Sequence, residues 1–332
     1  MASSIPSSQK QAAPGDGPAH GGEAWVFPGQ GSQQVGMGRD LYETYAAARH
    51  LLDEADTILG YPLTGLCFEG PEEDLQETVH AQPAIMAVSL ACLAAARAEG
   101  ALNGKPAFLA GHSLGEYTAL VAAGALSFAD GLRLVRERGR LMQEASERVP
   151  GAMAAVMGLP EEKVAALCQE SGAELCNLNS PGQAVIGGPL EAVARALELA
   201  RARGARHLAR LNVSGAFHTS LLGPAADGMA QAIAGVPVAE AGVPIVANSS
   251  AEPVVAAVAI REELLRQLCR PVLWQRSIEY MVAQGTTGFA EIGPGRVLTS
   301  LIRRIDGNVS VRNIADVASI REHVESGAGL VG

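Results

Sequence analysis

In FLAGHSLGEYTAL, residues 108–120, an apolar run leads into a serine with a glycine two residues away on each side, and a second, helix-like run follows. A G-x-S-x-G turn of this kind needs a strand before it and a helix after it, because its small residues permit a sharp reversal that lifts the serine hydroxyl clear of the sheet. Gly111, Ser113 and Gly115 fill the pattern. A strand-turn-helix unit predicts an α/β fold. Composition agrees: 48% of the 332 residues are hydrophobic but only 4% aromatic, and 38 are glycine, which suits helices packed closely on a sheet better than a β-sandwich. The turn also leaves backbone N–H groups at the helix start, where a developing oxyanion can be stabilised. Ser113 thus reads as a candidate nucleophile, with an ordinary turn serine as the alternative.

Ordered structure is expected to begin at EAWVFPGQGSQ, with a strand over 24–27 that ends in a Gly-rich loop. Residues 1–22 are rich in Ser, Pro, Gly and Ala and lack the apolar centre of a signal peptide, so they read as a disordered leader or linker. Helices are expected over 37–59, over AQPAIMAVSLACLAAARAEG with apolar residues all round, and from Leu114 onward. Residues 151–213 change rhythm. GAMAAVMG reads as a strand, PEEKVAALCQES as a helix, AELCNLNS and GQAVIGG as two strands, PLEAVARALELARARG as a helix and ARHLARLNV as a last strand. That order, βαββαβ, is the ferredoxin-like split unit. The expected division is a large discontinuous domain over 23–148 and 214–320, a small inserted domain over 149–213, and a tail over 321–332.

A formal net charge of −10 argues against nucleic-acid binding, which needs an extensive basic face. Cys67, Cys92, Cys168, Cys176 and Cys269 form no CxxC pair and no metal-like spacing, so no metal site is expected and a reducing cytosolic compartment fits best. No apolar run reaches the roughly 18 residues of a membrane span, so no membrane association is expected.

A serine at its free pKa needs a base. His218, in LNVSGAFHTSLL, follows a predicted strand and lies between Gly215 and Gly223, as a loop histidine at a sheet edge would. It is the candidate base, with a surface histidine as the alternative. His112 adjoins the serine, but the elbow would turn its side chain away from the hydroxyl. On the expected helix over 128–145, Leu134, Leu141, Met142 and Ala145 form an apolar stripe, and Arg138 falls in its middle. A guanidinium there is costly unless paired, and its planar fork suits a carboxylate ligand. The alternative is an arginine whose stem lies on the core while its head reaches water.

FPGQGSQ at 27–33, GHSLGEY at 111–117, Arg138, NSPGQ at 179–183, GAFH at 215–218 and EIGPGRVL at 291–298 occur in an order that resembles the malonyl-CoA:acyl carrier protein transacylases, from about Ala24 to Arg304. The resemblance implies a hydrolase-like large domain with the ferredoxin-like insert, and a ping-pong acyl transfer between two thiols. Ser113 would be the nucleophile, His218 the base, and Arg138 the holder of the free malonyl carboxylate. Gln30 and the backbone N–H of Leu114 would form the oxyanion hole. A main-chain carbonyl, at Gln267 here, would orient the histidine in place of a triad acid, consistent with the lack of a convincing Asp between Ser113 and His218. Phe217, Met142 and Asn179 complete the expected substrate-binding set, Phe217 being the residue that leaves no room for a 2-alkyl branch.

The implied substrates are malonyl-CoA and the phosphopantetheine thiol of an acyl carrier protein, with no cofactor, in fatty acid or polyketide biosynthesis in the cytoplasm. The carrier is acidic, so docking calls for a local basic patch. RARGARHLAR supplies Arg201, Arg203, Arg206 and Arg210, with Arg206 and Arg210 as candidate docking residues and a solvated helix end as the alternative. Two rival readings remain: a carrier-thioester hydrolase with water as acceptor, and a catalytically degenerate docking module.

Overall fold

The computed structural model describes residues 22–213 and 215–328. Among the described residues, ten strands form two sheets. The larger holds β1 (Gly22–Phe27), β2 (Leu109–Gly111), β7 (Ile245–Val246), β8 (Pro253–Val254), β9 (Thr286–Ile292) and β10 (Ser310–Ile314), in the order β10-β9-β1-β2-β7-β8. All its pairings are parallel except the last, β7 with β8. Ala24, Trp25, Val26 and Phe27 of β1 are all buried, as a central parallel strand covered on both faces requires.

The smaller sheet takes β3 (Gly151–Met157), β4 (Glu174–Ser180), β5 (Gln183–Pro189) and β6 (His207–Arg210), all antiparallel, in the order β4-β5-β3-β6. With helices Glu161–Ser171 and Leu190–Ala202 between strands, this is the βαββαβ unit read from the sequence. It has its own core, in which Val156, Leu167, Ile186 and Val193 are wholly enclosed. Its edge strand β4 is tied to the segment at Val272: Leu178 N–H donates to Val272 O at 2.9 Å, and Val272 N–H donates to Cys176 O at 2.8 Å.

The helix Thr78–Ala98 corrects one expectation. It is long and apolar enough to cross a membrane, although no such run was expected, but 83% of its apolar window is buried inside the molecule. It is apolar all round because it is the central core helix, packed between neighbours on every side. Against it lies Phe128–Arg148, whose N-cap Ser127 accepts the Asp130 N–H through its hydroxyl. Gly139 makes that contact close, since a Cβ there would come within 2.6 Å of Thr78 O.

Other boundaries also moved. The helix expected over 37–59 is two, Arg39–Thr44 and Ala46–Leu59, because Tyr45 adopts extended backbone between them. The last strand of the small unit is only His207–Arg210. Of the expected leader, Gly22 opens β1 and residues 1–21 lie outside the described residues. The tail expected over 321–332 is helical as far as it is described, within Val317–Ala328.

Candidate active site

Strand β2 ends at Gly111, and helix Leu114–Ala122 begins one residue after Ser113. The reversal forces Ser113 to φ 54°, ψ −106°, backbone that L residues rarely adopt. The flanking glycines make it possible: a Cβ on Gly111 would sit 1.9 Å from Gly115 O, and one on Gly115 would sit 2.2 Å from Phe27 O. Buried Asn248 clamps the turn, its Oδ1 accepting the Ser113 N–H at 2.7 Å and its Nδ2 donating to Gly111 O at 2.7 Å.

The Ser113 hydroxyl lies 2.7 Å from His218 Nε2. On the far side of the ring, His218 Nδ1 is 2.9 Å from Gln267 O and 3.2 Å from Arg270 O. A carbonyl only accepts, so Nδ1 carries the hydrogen and Nε2 is left with a lone pair facing the serine. Gln267 ends helix Ala257–Gln267, where main-chain carbonyls have no intrahelical donor and are free to hold the ring. Burial, and then the positive charge of Arg138, push the His218 pKa down to about 3, against the pull of the carbonyls. The imidazole is therefore neutral, and able to accept a proton, at any ordinary pH.

Arg138 is 1% exposed. Its Nη1 donates to Gln82 Oε1 at 2.8 Å, its Nη2 donates to Ser113 Oγ and Gln267 Oε1 at 3.0 Å each, and its guanidinium lies 5.5 Å from the centre of the Tyr117 ring. Burial lowers its pKa, yet a guanidinium remains charged in proteins. Its hydrogen-bond acceptors are neutral. Of the two sequence alternatives, the structure has the buried head and not the one that reaches water.

A cleft of about 610 Å³ opens over Ser113 and His218. Gln30, Met142, Asn179 and Phe217 line it. Gln30 Nε2 donates to Thr78 Oγ1 at 3.2 Å. Leu114 is the first residue of the elbow helix, so its N–H is among the donors a helix start leaves without an i−4 acceptor. Gln82 Nε2 donates to Met142 Sδ at 3.3 Å. Asn179 Oδ1 is 2.9 Å from His112 Nε2, so His112 does turn away from the hydroxyl but still lines the cleft. Arg206, just before edge strand β6, and Arg210, at its end, are exposed outside the cleft, and Leu211, Asn212 and Val213 continue from Arg210 into its wall.

The structure thus gathers Ser113, His218, Arg138, Gln267, Gln30, Leu114, Phe217, Met142 and Asn179 around one cleft. Sequence reasoning missed Glu116, Gln82 and Asn248. Glu116 had a signal, an acidic residue in the first turn of an otherwise apolar helix. Asn248 had none, since it lies after the two-residue strand β7, too short to show a period.

The sequence matches the acyl transferase domain family over residues 24–322. It is 43% identical over 308 residues to the malonyl CoA-acyl carrier protein transacylase of Bacillus subtilis, covering 91% of this chain and 96% of that one. Its fold is similar to the crystal structure of an acyl carrier protein S-malonyltransferase from Vibrio cholerae, with a TM-score of 0.87 and 42% identity over 90% of this chain and 98% of the other. A type II polyketide malonyl-transacylase, solved with its acyl carrier protein, gives a TM-score of 0.88 at 42% identity over 92% of this chain and 99% of the other. The chain belongs to the acyl transferase family, among the malonyl CoA-acyl carrier protein transacylases.

Proposed function

We propose that the chain moves a malonyl group from malonyl-CoA, through an ester on Ser113, to the phosphopantetheine thiol of an acyl carrier protein. The observation that carries this reading is the buried Arg138 guanidinium 3.0 Å from the Ser113 hydroxyl. In a malonyl ester the carboxyl carbon is two bonds, about 2.5 Å, from the reacting carbonyl carbon. An acyl group bound to Ser113 therefore carries its carboxylate into reach of the guanidinium, and neutral acyl groups leave that buried charge without an anion.

His218 Nε2 takes the hydroxyl proton as Oγ attacks the thioester carbon. The negative charge on the thioester oxygen is met by the Leu114 N–H, with Gln30 at the other side of the hole. When the intermediate collapses, the carbon–sulfur bond breaks and His218 returns the proton to the CoA thiol. In the second half-reaction the carrier thiol gives its proton to His218 and attacks the ester, and Ser113 Oγ leaves and takes the proton back. The uncharged carbonyls at Nδ1 keep the ring oriented without a buried acid. Phe217 and Met142 shape the space beside the acyl chain, and Asn179, held by His112, lines the same cleft.

Arg206 and Arg210 are the docking contacts for the acidic carrier, at the rim of the small sheet next to the cleft wall. The large domain over 23–148 and 214–320 supplies the catalytic groups, and the insert over 149–213 supplies the rim. Fatty acid or polyketide assembly in the cytoplasm is the setting of this reaction; all five cysteines are free thiols, in keeping with a reducing compartment.

Intact-protein mass after brief mixing with malonyl-CoA tests the reading. An added malonyl mass that is absent in Ser113→Ala and moves to added acyl carrier protein is the expected result. Loss of the adduct to water at one rate with or without carrier would make the chain a hydrolase.

A further inference from the structure

Glu116 stands three residues beyond the nucleophile on the elbow helix, 1% exposed, and no step above uses it. Its Oε1 accepts the Asn248 main-chain N–H at 2.9 Å, and its Oε2 accepts a hydrogen of Gln267 Nε2 at 2.6 Å. Gln267 Nε2 gives its other hydrogen to Ser113 O at 2.7 Å, which leaves Oε1 of the same amide to face Arg138 Nη2 at 3.0 Å. A side-chain amide can turn over about its last bond, exchanging donor for acceptor with almost no change of shape. Ser113 O only accepts and Arg138 only donates, so those two already set the amide's orientation; Glu116, whose pKa burial and then Glu263 raise well above the usual carboxylate range, braces the NH2 end through Oε2.

We propose that Glu116 is a positioning residue: by holding the NH2 of the Gln267 amide, it braces the amide oxygen against Arg138 and so presents the guanidinium to a carboxylated acyl group. The inference rests on the malonyl reading and deepens it. An acid in direct contact with Arg138 would occupy the fork that the acyl carboxylate needs. Placed behind an intervening amide, the acid stays out of direct contact with the guanidinium, whose Nε has no hydrogen-bond partner among the described residues. The other buried carboxylate nearby, Glu263, is engaged elsewhere, by the Ser249 N–H at 2.8 Å and the Ser249 hydroxyl.

Glu116→Gln makes the consequence explicit. The new amide has one oxygen for two donors, so either the Asn248 N–H or Gln267 Nε2 loses its acceptor and meets an NH2 group instead. The Gln267 amide then loses its brace, and the guanidinium that rests on its Oε1 shifts.

The experiment compares kcat/KM for acylation by malonyl-CoA and by acetyl-CoA in wild type and variants. Glu116→Gln should lower the malonyl value at least about tenfold and change the slow acetyl value less than about threefold. Glu116→Asp, which keeps both carboxyl oxygens, should keep the malonyl-to-acetyl ratio within about threefold of wild type even where both rates fall. In a Gln267→Met background, which itself loses the ratio, Glu116→Gln should add little, because the effect runs through that amide. If Glu116→Gln does not fold, the collapse of the ratio in Gln267→Met and its survival in Glu116→Asp carry the test together. A ratio unchanged in Glu116→Gln, or a full further loss in the Gln267→Met background, overturns the inference alone. A wild type with no preference for malonyl-CoA overturns the functional reading, and this one with it.

Discussion

At the scale of single residues, the site is a small set of charged and polar groups, most of them buried, and the titration of His218 follows from that. The folded chain holds the His218 imidazole at about 3, whereas the unfolded chain returns it to the ordinary value of about 6.5. Between those limits the unfolded state binds a proton that the folded state refuses, so this residue makes stability fall as pH drops from about 6.5 toward 3. Thermal melts across that range should show a shallower decline in His218→Gln than in wild type. The same shift keeps the base neutral, so the rate of Ser113 acylation, read by rapid quench, should stay level from pH 8 down to about 5. A limb centred near pH 6.5 would contradict it. Ser113, His218 and Arg138 were legible because each breaks a pattern: a serine in a glycine turn, a histidine after a strand, a cation on an apolar stripe. Glu116 breaks a pattern too, but its meaning depends on Gln267, which lies 151 residues away. Contacts made by long-range packing leave no local trace, and Gln82 and Asn248 went unread for that reason.

At the scale of elements, glycine governs how closely the pieces meet. The helix Phe128–Arg148 touches Thr78–Ala98 at Gly139, next to Arg138, and this close approach is what encloses the guanidinium. Gly139→Ala would drive a methyl against Thr78 O, and the helices must part. The expected cost is about 1–3 kcal/mol in denaturant unfolding, with a loss of the preference for malonyl over acetyl thioesters as Arg138 shifts. Unchanged stability would mean that the helices can slide apart freely. Long elements with a clear period were readable from sequence: the elbow helix begins at Leu114 as expected, and the βαββαβ order holds. The break at Tyr45 was not, because Tyr45 falls within an otherwise continuous apolar repeat and only tertiary packing decides its backbone.

At the scale of the whole molecule, two sheets share one cleft, and the hydrogen bonds between β4 and the Val272 segment join them. The parallel sheet supplies the nucleophile, and the small sheet brings an exposed edge with Arg206 and Arg210 to the rim. Charge reversal of Arg206 should raise the apparent KM for the carrier several-fold at low salt, an effect that fades as salt screens it, while acylation by malonyl-CoA is unaltered. A carrier KM that does not move would remove Arg206 from the docking surface. The molecule's parts were legible at this scale because the rhythm of the chain changes at 151. The apolar helix Thr78–Ala98 was underestimated, because its Ala-rich composition spreads its hydropathy over many small residues instead of a few large ones.

The carbonyls that hold His218 carry one more consequence. In enzymes where an aspartate does this work, a single codon change can delete the contact. Here the acceptors are main-chain oxygens of Gln267 and Arg270, which every amino acid possesses, so no substitution of those side chains can erase them. The orientation of the base is thereby shielded from most point mutations, and lineages can vary the identity of residue 270 without losing it. Only a change in the path of the chain, such as an insertion after the helix Ala257–Gln267 or the loss of Pro271, reaches that contact.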